Sequence, residues 1–152
     1  MRLSKAFFTT LRDAPAGIDA EGHKLLLRAG FVRQIGAGLF AHLPLAKRSM
    51  TKIEQIIREE IDAIGGQEMT MPVVQPADIW KQSGRWESIG PEMGRFKDRK
   101  EHDMVLAVTH EEAVTFIAAS EVRSYRQLPQ IVYHFQTKFR DEVRPRFGVM
   151  RA

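Results

Sequence analysis

Phe139-Arg140-Asp141-Glu142-Val143-Arg144-Pro145-Arg146-Phe147-Gly148 is the stretch on which the reading of this chain turns. It closes the strongest strand pattern, residues 130–140. There Ile131, Tyr133, Phe135, Thr137 and Phe139 face one way, and Val132, His134, Gln136, Lys138 and Arg140 the other. Arg140 and Glu142 are two apart, so on a strand both project to the same face. A guanidinium suits phosphate oxygens, and a carboxylate can accept from an exocyclic amine, so the pair could flank one flat nucleotide. A salt bridge on a solvated face would use the same spacing. Arg144, Arg146 and Arg151 lie in or just beyond a Pro-Gly loop. Such a loop could clamp pyrophosphate or an RNA backbone, or simply be a soluble exposed loop.

The net charge of +4 is unevenly placed. Residues 1–120 hold 16 Lys and Arg against 16 Asp and Glu, whereas residues 121–152 hold 7 against 3. The basic end is therefore the part suited to phosphate, from nucleotide or RNA. The rest is ordinary for a soluble globular protein, with 43% hydrophobic and 28% charged residues, and 152 residues suit one domain with a real core. No apolar run approaches the roughly 20 residues of a membrane span. Met1-Arg2-Leu3-Ser4-Lys5 lacks the features of a signal peptide. The absence of Cys excludes disulfides and thiolate metal sites and fits a reducing cytoplasm. The five His show no His-x-x-x-His spacing, so no protein-ligated metal is expected.

Upstream, residues 1–18 contain Asp13-Ala14-Pro15-Ala16-Gly17 and read as a turn-rich, mobile lead-in. A helix is expected over about 20–34, with Leu26, Leu27 and Phe31 buried. Ile35-Gly36-Ala37-Gly38-Leu39-Phe40 then reads as a strand or bend. The clearest helix spans about 45–64, where Met50, Ile53, Ile57, Ile61 and Ile64 form one apolar stripe. Pro44 suits its first turn and Gly65-Gly66 its stop. Next, Met69, Met71 and Val73 share a strand face, and Pro72 puts that strand at an edge or ends it. A helix feeding an edge strand serves equally as a subunit interface or as packing for its own sheet. Residues 83–95 read as loop, and Arg95 to Val108 as a hairpin turning at Asp98-Arg99-Lys100-Glu101. Thr109-His110-Glu111-Glu112 opens a helix running to about Val122, with Thr109 as N-cap and Glu112 as its capping-box partner. The same hydroxyl and carboxylate at a helix mouth could hold a small ammonium group. Trp80 and Trp86 read as packing anchors.

Taken together, these segments resemble a known family from Leu26-Leu27-Arg28-Ala29-Gly30-Phe31 to Met150. The chain looks like the N-terminal part of a bacterial-type prolyl-tRNA synthetase, a class II aminoacyl-tRNA synthetase. Residues about 45–73 are similar to class II motif 1, which in the family builds the homodimer interface. Residues about 130–152 are similar to the start of motif 2, with Phe139-Arg140-Asp141-Glu142 on its strand and Arg144 to Gly148 in its loop. Thr109-His110-Glu111, Ser83-Gly84-Arg85-Trp86 and Thr137-Lys138 carry the resemblance to the proline branch. The implied fold is α+β, a mostly antiparallel sheet flanked by helices and incomplete at the C-terminus. The implied chemistry is activation of proline by ATP to prolyl-adenylate, then transfer to tRNA(Pro), with Mg²⁺ bound through the phosphates.

By the resemblance, Arg140 binds the α-phosphate and the amino-acid carboxylate, and Glu142 accepts from the adenine amine. Thr109 and Glu111 hold the prolyl ammonium, and Arg151 reaches the γ-phosphate. Arg144 and Arg146 approach the tRNA acceptor end. The family's motif 3, editing domain and anticodon-binding domain have no counterpart in these residues. The chain is therefore expected to be a piece of a larger, cytoplasmic, homodimeric enzyme and to be inactive alone. Two rivals remain: a non-catalytic synthetase-like module for dimerisation or RNA binding, and a synthetase of the same class for another amino acid.

Overall fold

The computed structural model describes residues 2–143 and residue 149. Its contacts divide into two units, one drawn from residues 1–59 with Val149, the other Glu60–Val143.

In the first unit, helix α1 (Glu21–Arg28) leads into an antiparallel hairpin, β1 (Val32–Gly36) and β2 (Leu39–His42). The helix is shorter than the expected 20–34 because Gly30 takes a φ of +72° and reverses the chain. A side chain at Gly30 would collide with Phe8 and the Thr9 carbonyl, so the turn depends on glycine there. Phe31 then caps the turn through its amide to Leu26 O at 2.9 Å. Leu27, Val32 and Ala46 form the buried cluster, with Phe31 packed against it. The lead-in is tied down, contrary to the sequence expectation. Leu11 N donates to Arg28 O at 2.8 Å, and the Arg33 guanidinium donates to Thr9 O and to Leu27 O.

Helix α2 (Pro44–Ala63) starts and stops where Pro44 and Gly65 predict, and Gly65 has a φ of +85°. All but its last turn belongs to the first unit. Its apolar stripe does not pack on a sheet: Met50, Ile53, Ile57 and Ile64 are exposed, Ile53 by 56% and Ile64 by 68%. Ala46 is its buried residue.

The second unit holds two small sheets. Strand β3 (Gly66–Glu68) pairs in parallel with β7 (Ile131–Tyr133). Strands β4 (Val74–Pro76), β6 (Asp103–Leu106) and β5 (Arg95–Lys97) form an antiparallel sheet in that order. Between β4 and β5 lie α3 (Ala77–Gln82) and α4 (Arg85–Ser88), so the expected 83–95 loop is interrupted by one helical turn and is otherwise irregular up to β5. Elements of six and four residues are too short to show a helical period. The β5–β6 hairpin turns as expected, its turn held by Asp98, which accepts from the amides of Lys100 at 2.7 Å and His102 at 3.0 Å. Helix α5 (Glu111–Glu121) follows β6. Trp80, Met93, Val105 and Val108 form the core, with Ile79, Trp86 and Ile89 packed around it. Both tryptophans are anchors, as their sequence context implies. Arg95 stacks on Trp86 and donates to the carbonyls of Trp86 and Ile89 at 2.7 and 2.8 Å.

Two strand expectations need correction. The strand expected over residues 67–73 ends at Glu68, and the Met71 amide donates to the Gln136 side chain at 3.1 Å instead of to a ladder. The strand over 130–140 is ladder-paired only through Tyr133. Beyond it the chain is held by single backbone bonds, Phe139 N to Ala107 O and Asp141 N to Glu92 O, both 2.9 Å. The last backbone bond to β7 is Met69 N to Tyr133 O at 2.9 Å, so the pairing stops before Pro72 is reached. Among the described residues, no helix is long and apolar enough to cross a membrane.

Candidate functional site

Strand β6 delivers the chain to Ala107, Val108, Thr109 and His110, all buried, before α5 begins at Glu111. The predicted capping box does not form. His110 is the N-cap, and no side chain caps the helix. Thr109 Oγ1 instead donates to the Glu111 carboxylate. Glu112, cast as the box partner, is the second helical residue, not the third, and its carboxylate is taken by Arg85. The Thr109 hydroxyl holds the Glu111 carboxyl below its ordinary range. Partial burial opposes this, while a backbone amide and the cations Arg85 and Lys138 assist it. Glu111 is thus an ionised carboxylate with one oxygen anchored and its side chain 71% exposed.

Arg85 and Glu112 are the functional candidates that sequence reading missed. Arg85 Nη1 lies 2.9 Å from Glu112 Oε1 and 3.7 Å from Glu111 Oε2. Its guanidinium carbon sits 5.5 Å from the centre of the Trp80 ring. Trp80 is completely buried and donates through Nε1 to Gln75 Oε1 at 3.0 Å, so the platform is fixed by the core. The Glu112 side chain is only 4% exposed. Ser83 Oγ is 3.3 Å from the same Glu112 oxygen, with Trp80 O at 3.1 Å as the alternative acceptor for its one proton. Arg85 and Glu112 are 27 residues apart, so no local spacing announces the pair.

Arg140 bonds to the segment that follows β6. The Phe139–Ala107 backbone bond aligns the two segments, and Arg140 Nε donates to Val108 O at 3.1 Å. This puts a guanidinium one residue from Thr109. Glu142 is half-buried on the continuation of that stretch, just past the Asp141–Glu92 backbone bond. Arg144, Arg146 and Arg151 lie outside the described residues. A cleft of about 290 Å³ opens beside α5, lined by Ile79, Ser83, Glu111, Glu112, Thr115 and Phe116 among others. His110 is buried beneath the site, edge-on to His134 at 5.3 Å between ring centres. Neither of its ring nitrogens makes a hydrogen bond of good geometry among the described residues. Burial first, then His134 and Lys138, hold its pKa below the ordinary value of 6.5.

Among the described residues no three His, Asp or Glu side chains converge as a metal site. Two opposite charges are instead tied to one short buried segment: the Glu111 carboxylate through the Thr109 hydroxyl, and the Arg140 guanidinium through Val108 O.

Residues 95–152 match the tRNA synthetase class II core domain (G, H, P, S and T). Over all 152 residues the chain is 60% identical to the proline–tRNA ligase of Anaeromyxobacter sp. (strain Fw109-5), covering 26% of that protein. Among solved structures, Giardia lamblia prolyl-tRNA synthetase in complex with prolyl-adenylate aligns with a TM-score of 0.70 at 23% identity, over 80% of this chain and 26% of that one. The RNA binding domain of threonyl-tRNA synthetase from Cryptosporidium parvum Iowa II aligns with a TM-score of 0.66 at 27% identity, over 72% of this chain and 27% of that one. The chain spans about a quarter of the length of the curated relatives it matches. By full-length sequence likeness to those ligases and by its class II fold, the chain belongs to the prolyl-tRNA synthetase family of class II aminoacyl-tRNA synthetases.

Proposed function

We propose that the protein containing this chain activates proline with ATP, releases pyrophosphate and transfers the prolyl group to tRNA(Pro) in the cytoplasm. One observation carries the reading: Glu111, pinned by Thr109, and Arg140, hooked to Val108 O, attach opposite charges to neighbouring residues of one short buried segment. In the proposed site Glu111 and Thr109 hold the prolyl ammonium. Arg140 holds the proline carboxylate against the α-phosphate and offsets the charge that builds as the carboxylate attacks. Glu142 accepts from the adenine amine, Arg151 meets the γ-phosphate, and Arg144 and Arg146 meet the acceptor end of the tRNA. Mg²⁺ enters with the ATP phosphates and neutralises part of their charge. No side chain forms a covalent intermediate, so the chain's contribution is positioning and electrostatics.

The family model begins at residue 95, and about three quarters of the relatives' length lies outside this chain. The isolated 152 residues are therefore proposed to be inactive; the whole protein is proposed to form a homodimer through the motif 1 region, residues about 45–73, which contains most of α2. The test is ATP–pyrophosphate exchange dependent on proline, run on the whole protein and on this chain alone. The whole protein should exchange with proline and not with threonine. Glu111→Ala removes a charge-assisted contact worth about 2 kcal/mol, so KM for proline should rise about 30-fold. KM for ATP should stay within about twofold. Equal loss of both would remove Glu111 from amino-acid recognition, and exchange by the isolated chain would overturn its proposed inactivity.

A further inference from the structure

Glu111 has a cation standing beside it before any substrate arrives. Arg85 Nη1 is 3.7 Å from Glu111 Oε2, inside ion-pair range, and Lys138 also acts on the same carboxylate. A guanidinium that closed fully on Glu111 would neutralise it and occupy the oxygens an incoming ammonium needs. It does not close, because Arg85 is held nearer to Glu112, at 2.9 Å. That hold is strong for a physical reason. The Glu112 side chain is almost wholly buried, and its other oxygen, Oε2, has no hydrogen-bond partner among the described residues. Arg85 therefore supplies nearly all the compensation for a buried charge, with the Ser83 hydroxyl as the remaining contact. Trp80 beneath the guanidinium restricts it further.

Resting on the reading of Glu111 as the ammonium acceptor, we infer that Glu112 is a positioning residue that diverts Arg85 from Glu111 and so keeps the amine site open. Glu112 touches no substrate in this arrangement. It acts by fixing where a competing cation sits. With Glu112 in place, Arg85, Glu111 and Glu112 together carry one net negative charge, and the exposed part of it lies on Glu111. Without the Glu112 charge, Arg85 turns to Glu111 and the pair becomes neutral.

The test uses proline-dependent ATP–pyrophosphate exchange by the whole protein. Glu112→Gln is nearly isosteric and leaves an oxygen for Ser83, yet it removes the charge that holds Arg85. KM for proline should rise about tenfold or more, with KM for ATP unchanged. Adding Arg85→Gln to that variant should bring KM for proline back to within about threefold of the starting protein, because the competing cation is gone. A purely structural role for Glu112 gives no such rescue, and a double variant as poor as Glu112→Gln overturns the inference. Should Glu112→Gln fail to fold, Arg85→Gln alone decides. Its KM for proline is expected at or below that of the starting protein, and a tenfold rise would show Arg85 supporting Glu111, the opposite of what is inferred. The Glu111→Ala variant separates the two levels. If it leaves proline binding intact, the ammonium reading itself fails; if it weakens proline while Glu112→Gln does not, only the role of Glu112 fails.

Discussion

Helix α2 and the Trp80 core are built from similar apolar material and end in opposite states. Around Trp80, Met93, Val105 and Val108, the chain buries its apolar side chains in its own second unit. Along α2, Met50, Ile53, Ile57 and Ile64 recur at helical spacing and stay in solvent. The difference teaches that periodicity reports amphipathicity but not the identity of what covers the apolar face. In the core, short elements close on one another, and their exposed remainder carries the proposed amine site. In α2 one long element has no covering layer among the described residues. Exposed apolar surface of that kind marks an interaction face, which is why the proposed dimer is assigned there.

The largest effect should come from the core. Trp80→Ala empties the centre of the cluster and leaves Gln75 Oε1 without its 3.0 Å donor. A loss of about 4 kcal/mol is expected, read as a lower denaturant midpoint. Arg85 also loses its platform, so proline affinity should fall alongside stability. Retention of the midpoint would mean that the core lies elsewhere.

The comparison also marks what the sequence could reveal. Helix α2 was legible to within a residue or two because its stripe, Pro44 and Gly65 agree. The β5–β6 hairpin was legible from its turn. Strand β7 was over-read, because alternation from Ile131 to Phe139 describes which way side chains point, not whether a neighbouring strand exists. Thr109, Glu111 and Arg140 were proposed as site residues through the resemblance, and the structure adds that Arg140 bonds to the Val108 carbonyl, next to Thr109. Arg85 and Glu112 were not legible as a pair, since only the fold of α3, α4 and α5 brings them within 2.9 Å. The capping box was misread because His110, not Thr109, is the N-cap, and the Thr109 hydroxyl donates to the Glu111 carboxylate while capping no backbone amide.

The second break targets α2. Ile53→Asp with Ile57→Asp puts two carboxylates on a face that is already wet, so the fold should lose no more than about 0.5 kcal/mol per site. Association should respond far more strongly. Buried in a dimer, each carboxylate would be unpaired and costly, and sedimentation should show the species shift to monomer at micromolar concentration. A dimer that survives both changes would take the interface away from α2 and leave its stripe unexplained.

The smallest effect concerns pH, and it belongs to the core side alone. His110 is buried against His134, with Lys138, Glu111 and the Pro72 carbonyl around it, and its pKa lies below 6.5 in the fold. The unfolded chain therefore takes up the proton first as pH falls. Stability from this group is fully present above about pH 6.5 and declines as pH drops through the lower folded value. His110→Leu removes the titration while keeping an apolar side chain of similar bulk. Denaturant midpoints at pH 7.5 and pH 5.5 should differ less in the variant than in the parent chain. The carboxylates introduced by Ile53→Asp and Ile57→Asp lie on an exposed face and stay ionised at both pH values, so those changes should leave that pH difference intact. Equal pH sensitivity in His110→Leu and the parent would move the titrating group away from His110 and with it the contrast in electrostatics between the two regions.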